Sequence, residues 1–203
     1  VITHELGHTL GLGHTNLLRC PNNISDGLWA NCNAIEYGGA VDVMSNVDVK
    51  GPLSTYHQWR MGIIKDSDVT QVWKTQTIDL KYTNAASGTR AKFVRDGKQT
   101  YWMEYRKAAD GYTPGLAIYR TDPPPASSVV SPNVSDGVDA PNDAVTSDVW
   151  LMNLDSFRYS STAATSGSPT LPNGRTFLDS SGNISVSAIQ KDADTISVTV
   201  TRK

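Results

Sequence analysis

From residue 67 onward, hydrophobic and polar positions alternate with a period of two. Ile184, Val186 and Ala188 are separated by Ser185 and Ser187, and Ile196, Val198 and Val200 by Ser197 and Thr199. Successive side chains of a strand face opposite sides, so this pattern predicts one apolar and one polar face. The two segments, Ile184–Ile189 and Thr195–Val200, flank a short polar turn and predict a hairpin. Stretches rich in β-branched and aromatic residues at Val69–Trp73, Thr77–Tyr82, Ala91–Val94, Thr100–Tyr105 and Leu116–Tyr119 predict further strands. Residues 67–203 are therefore expected to form a β-rich, sandwich-like domain. Within them the tract at about 122–147, which holds Pro123-Pro124-Pro125 and many Ser and Asp, is expected to be a flexible loop. Ahead of the polar break at Lys65-Asp66-Ser67-Asp68 the period changes. Ile2, Leu6 and Leu10 recur four residues apart and predict a helix over residues 1 to about 13. Residues 14–52 read as a loop-rich passage, and 53 to about 61 as a short helix begun by Pro52 and Ser54. The expected fold class is α+β, with one unit at 1–66 and a second at 67–203.

Composition narrows the class. A chain of 203 residues suffices for one good domain or two small ones, and a formal net charge of −2 leaves no basic footprint for nucleic acid. No apolar run approaches the ~20 residues needed to span a bilayer, and no charged-then-apolar leader opens the chain. Glu is confined to Glu5, Glu36 and Glu104, while Ser, Thr, Asn, Asp and Gly abound, a surface common on secreted β-rich proteins. Cys20 and Cys32 are the only cysteines. An even pair in an oxidising compartment reads as a disulfide, worth about 3 kcal/mol in the chain-entropy model. Metal binding by the two thiols is the alternative, although their separation is wider than a zinc pair such as C-x₂₋₄-C. The sequons at Asn23, Asn133 and Asn183 become glycan acceptors only on a eukaryotic secretory route.

The candidate chemistry is concentrated near the start of the chain. His4, His8 and His14 fall within eleven residues, with Glu5, Gly7, Gly11 and Gly13 between them. On a helix, residues i and i+4 stack about 6 Å apart along the axis, so His4 and His8 can grip one ion. Gly11 permits the chain to turn back and bring His14 to the same point, because glycine accepts positive φ. Imidazole nitrogens bind Zn²⁺ at roughly 2.0–2.1 Å, and three protein ligands plus water make a catalytic site. Glu5 follows the first ligand and is expected to act as general base toward that water. The competing interpretation is a buried amphipathic helix, with Ile2, Leu6 and Leu10 facing a core and the histidines satisfying one another. The full pattern arises by chance in on the order of one in 10⁵ chains of this length, which favours the metal. A structural zinc would normally be closed by a fourth ligand, and none is evident nearby. Asp136, Asp139, Asp143 and Asp148 offer carboxylates to Ca²⁺, but their spacing fits no calcium loop. His57 has no partner at ligand spacing and is expected on a helix surface.

The run His4, Glu5, His8, Gly11, His14 resembles the metzincin metallopeptidase signature, which also requires a methionine turn further on. Met44, in Asp42-Val43-Met44-Ser45-Asn46, is the matching residue, and the resemblance implies that it forms an apolar floor beneath the metal. Leu53 to Gly62 is similar to the closing helix of gametolysin-like and immune inhibitor A-like secreted peptidases. The segments Tyr101 to Arg106 and Gly115 to Asp122 resemble the paired strands that come after the zinc domain in those proteins, and the last strands fit the same pattern. Two departures stand out. Asn46 occupies the place where some metzincins carry a tyrosine, leaving Tyr37 and Tyr56 as speculative donors. The substantial subdomain that precedes the zinc helix in metzincins has no counterpart before His4, so the chain is expected to be an N-terminally truncated fragment that works with that subdomain in cis.

The resemblance implies the C-terminal half of a metzincin catalytic domain followed by a β-sandwich-like domain, and a secreted zinc endopeptidase acting on protein or peptide substrates. A second hypothesis makes the β-domain the working part, an adhesion or carbohydrate-binding module with a residual zinc helix. A third is a metal-dependent hydrolase acting on something other than peptides.

Overall fold

The computed structural model describes residues 2–19, 33–35, 38–39, 42–45, 51–97, 99–107, 114–121, 149–152, 158–160, 163–166, 170–171, 173–179 and 181–203. Helix α1 (Ile2–Thr9) opens the chain and runs into β1 (Thr15–Arg19), followed by β2 (Asn33–Ile35) and helix α2 (Thr55–Arg60). A single 3₁₀ turn (Asp66–Asp68) leads to β3 (Val69–Gln71), β4 (Gln76–Lys81), β5 (Ala91–Asp96), β6 (Gln99–Arg106) and β7 (Gly115–Arg120). Then come β8 (Val149–Met152), β9 (Arg158–Ser160), β10 (Ala163–Ser166), β11 (Thr176–Leu178), β12 (Ile184–Gln190) and β13 (Thr195–Arg202).

Two sheets dominate. One has seven strands in the order β2-β1-β8-β7-β6-β5-β3, the other four in the order β11-β12-β13-β4, and β9 pairs with β10 apart from both. The alternation in β12 and β13 works as its period predicts. Ile184, Val186, Ala188, Ile196, Val198 and Val200 are buried, and the hairpin pairs Ile184 with Arg202 through to Gln190 with Ile196. Asp194 closes the turn by donating its N–H to the Asp192 carboxylate.

The inner faces of the two sheets form one core, where Val186, Val198, Val200 and Phe177 meet Leu18, Tyr101, Met103, Tyr105, Leu116 and Ile118. The seven-stranded sheet buries its other face too. There Leu17, Trp102, Ala117, Tyr119 and Leu151 pack with Ile64 and with Tyr56 of α2. Strands covered on both sides cannot alternate in polarity, which is why β6 and β7 read as near-continuous apolar runs.

The passage 14–52 departs from its expected loop character. Thr15 to Leu18 pair in parallel with Val149 to Met152, and β2 adds itself antiparallel to β1. A parallel partner some 130 residues away leaves no local signature, and β2 is joined to β1 by no tight turn, so the five-residue strand reads as loop. Two strands ahead of residue 66 thus belong to the sheet built mainly after it. Cys20 and Cys32, and the tract at 122–148, lie outside the described residues, as do Asp136, Asp139, Asp143 and Asp148. No helix among the described residues is long and apolar enough to cross a membrane.

Candidate metal centre

Helix α1 presents His4 and His8 one turn apart, and the chain then reverses in a Schellman turn. Leu12 donates its N–H to Gly7 O at 3.0 Å and Gly11 donates to His8 O at 2.9 Å, with Gly11 at φ +82°. The left-handed residue is a glycine because a Cβ there would be strained. This reversal carries His14 back beside the helix and delivers it directly into β1.

The three imidazoles converge. His8 Nε2 lies 3.1 Å from His4 Nε2 and 3.0 Å from His14 Nε2. The other ring nitrogens of the first two are committed: His4 Nδ1–H donates to the Val43 carbonyl at 2.7 Å, and His8 Nδ1–H to the Leu12 carbonyl at 2.9 Å. A carbonyl can only accept, so each Nδ1 donates, and in each ring Nε2 is the nitrogen left to face a metal ion. Three nitrogens bound at about 2.05 Å around a tetrahedral ion lie roughly 3.3 Å apart, close to the spacing seen. Burial, followed by the charges of His8 and His4, lowers the pKa of His14 to about 4, so its ring is neutral near pH 7 and keeps an unprotonated nitrogen to offer a metal. The donor set is nitrogen only, and carbonyls orient two of the rings as metal-ligating histidines require. The three residues therefore form a group able to hold one metal ion.

Glu5 is exposed on α1 immediately after His4. Ile2, Leu6 and Leu10 are exposed as well, at 86, 54 and 55 %, so the helix does not turn its apolar stripe into the core. The core instead receives the opposite face, His4 and Gly7. Met44 is fully buried against that face. A Cβ on Gly7 would fall on the Met44 sulfur, so a larger residue there would require the buried Met44 side chain to shift. The segment Asp42–Ser45 is tied to the helix by the Val43 carbonyl and to β1 by Thr15 N–H, which donates to Met44 O at 2.9 Å.

His57 is not a surface residue. It is fully buried on α2, with Nδ1 3.4 Å from the Asp42 carboxylate. A six-residue helix packed on a sheet buries most of its circumference, and an acid contributed from a distant turn compensates the imidazole. Beneath α2, Glu104 of β6 accepts hydrogen bonds at 2.6 Å from Thr55 N–H, Thr55 Oγ1, Arg106 Nε and Tyr119 OH. Trp102 Nε1 donates to Thr55 Oγ1 at 2.7 Å, and Arg106 Nη1 to the Pro52 carbonyl at 2.9 Å. Burial disfavours the Arg106 charge, but Glu104, Tyr119 and Asp42 outweigh it and raise its pKa. Burial and then the Glu104 charge push the Tyr119 hydroxyl well above its ordinary value.

Sequence reasoning misses this network. Its one local signal is Glu104 and Arg106, two charges on the same face of an otherwise apolar strand. Of the residues considered as donors, Tyr56 is half-buried against Trp102, with ring centroids 5.2 Å apart, while Tyr37 and Asn46 lie outside the described residues. Asn23 and Asn133 also lie outside them, and Asn183 is exposed, donating to the Asp96 carboxylate at 3.2 Å. Comparison of the chain with protein-family models, curated proteins and solved structures finds no match.

Proposed function

We propose that this chain carries the metal centre of a secreted zinc endopeptidase. The observation that carries the reading is the convergence of the three imidazoles, with His8 Nε2 3.1 Å from His4 Nε2 and 3.0 Å from His14 Nε2; Glu5 follows His4 in the sequence and is exposed. His4, His8 and His14 would hold the ion. Zinc, when bound, lowers the pKa of a coordinated water toward neutrality and polarises a scissile carbonyl. Glu5 accepts the proton of the attacking water and delivers it to the leaving amine. Met44 supplies the apolar floor on which the histidine helix rests, and the buried Asp42 carboxylate holds its backbone N–H. A structural zinc would need no neighbouring base, so the position of Glu5 favours catalysis.

Casein cleavage by the full-length protein tests the assignment. Wild type is expected to cleave, to stop on chelation and to recover with Zn²⁺, while Glu5→Ala keeps the metal and loses at least ~10²-fold in rate, the usual contribution of a general base. Equal cleavage by wild type and Glu5→Ala contradicts the proteolytic reading even if zinc is bound.

A further inference from the structure

Asp42 is fully buried two residues before Met44, and every oxygen of its side chain is engaged. Oδ1 accepts the Met44 N–H at 3.0 Å. Oδ2 accepts the Thr15 hydroxyl at 3.0 Å and the Ser54 N–H at 2.9 Å, and faces His57 Nδ1 at 3.4 Å. Its backbone carbonyl accepts Ser45 N–H at 3.1 Å and Ser45 Oγ at 2.5 Å. These partners come from β1, from the methionine turn and from the start of α2. An ionised carboxylate in a dry interior is costly unless saturated with donors, so its position is over-determined by the groups around it.

The consequences reach two of the three histidines. Thr15 follows His14 directly and is clamped twice, by its hydroxyl to Asp42 and by its N–H to Met44 O. Val43, between Asp42 and Met44, supplies the carbonyl that holds His4 Nδ1. One carboxylate thus sets both the strand end that carries His14 and the peptide that orients His4. The elements it joins are far apart in sequence, and beside the Thr15 N–H to Met44 O bond its carboxylate adds the link from both to the start of α2.

We propose that Asp42 is the positioning residue of the metal centre, fixing the spacing of His4 and His14 through Val43 and Thr15. This rests on the reading of the histidines as metal ligands. The carboxylate's pKa agrees with the role: burial opposes its charge, yet the hydrogen bond and charge of His57, the charge of Arg106 and the Ser54 N–H together leave it below the ordinary value.

The test compares wild type with Asp42→Asn, using Zn²⁺ affinity by chelator competition and the ligand-field spectrum of the Co²⁺-loaded protein. An amide offers one acceptor oxygen, so it cannot serve Met44, Thr15 and Ser54 together. Asp42→Asn is expected to bind Zn²⁺ about 10–100-fold more weakly, the usual cost of losing an orienting partner of a ligand, and to shift the Co²⁺ bands. A purely structural role would lower the unfolding midpoint of the metal-free protein and leave affinity and spectrum of the folded variant unchanged, which overturns the proposal. Should Asp42→Asn fail to fold, Thr15→Val removes one hydrogen bond at constant shape. A several-fold weakening with a displaced Co²⁺ spectrum supports the proposal, and wild-type behaviour contradicts it. A wild-type chain that takes up neither ion overturns the underlying metal reading instead.

Discussion

His14 is buried beside two other imidazoles, and that placement ties its protonation to the folded state. Its pKa is lowered to about 4 in the fold from an ordinary value of 6.5. The folded protein therefore binds fewer protons than the unfolded chain between these values, and stability falls as pH drops through that window. Thermal melts of the metal-free protein are expected to hold their midpoint above about pH 6.5, to lose it progressively toward pH 4, and to lose nothing further from this residue below. His14→Asn should flatten that window, and an unchanged profile would contradict the assignment. At this scale the sequence is most legible. Histidines at i and i+4, a glycine that turns the chain and a third histidine six residues on are all local, so the geometry follows from helix dimensions. Asp42 and His57 are illegible for the converse reason. Asp42 meets Thr15 across 27 positions and Ser54 across 12, and neither separation corresponds to a helical or strand repeat.

Among the elements, α2 is joined to β6 by buried hydrogen bonds as well as by the packing of Tyr56 and Trp59 on Trp102. Thr55 donates its N–H and its hydroxyl to Glu104 and receives the Trp102 indole proton, all within a buried layer. Thr55→Val keeps the shape and removes the hydroxyl, leaving Trp102 Nε1 without its acceptor and Glu104 with one donor fewer. Leaving a buried polar group unsatisfied costs about 1–3 kcal/mol, so denaturant unfolding should show a loss of that size with an unchanged m-value. A loss under ~0.5 kcal/mol would mean that the layer is wet or rearranges. The β12–β13 hairpin is legible from its alternation because its partner is adjacent and one face meets solvent. β1 and β8 are not, since a strand pairing in parallel over a long separation carries no turn signal.

At the scale of the whole molecule, strands from both sides of residue 66 share one sheet. β1 and β2 enter the seven-stranded sheet, Leu18 joins the core between the sheets, and Leu17 packs on the outer face with Ile64 and Trp102. The helix that bears His4 and His8 thus leads straight into the central sheet. Calorimetry is expected to show a single unfolding transition that zinc shifts upward as a unit, since a ligand of the native state alone stabilises all that unfolds with it. Two separable transitions, only one of them metal-sensitive, would contradict a shared core. The alternation after residue 67 makes the sandwich legible, yet its sharing of strands with the histidine segment depends on β1 and β8 meeting.

Three histidines holding one cation would leave a coordination position open to solvent. Zinc-edge X-ray absorption on the loaded protein measures this directly. One zinc per chain is expected, with three imidazole nitrogens at about 2.0–2.1 Å and a fourth, light ligand from solvent. Sulfur in the coordination sphere, fewer than three imidazoles, or no retained zinc would contradict it.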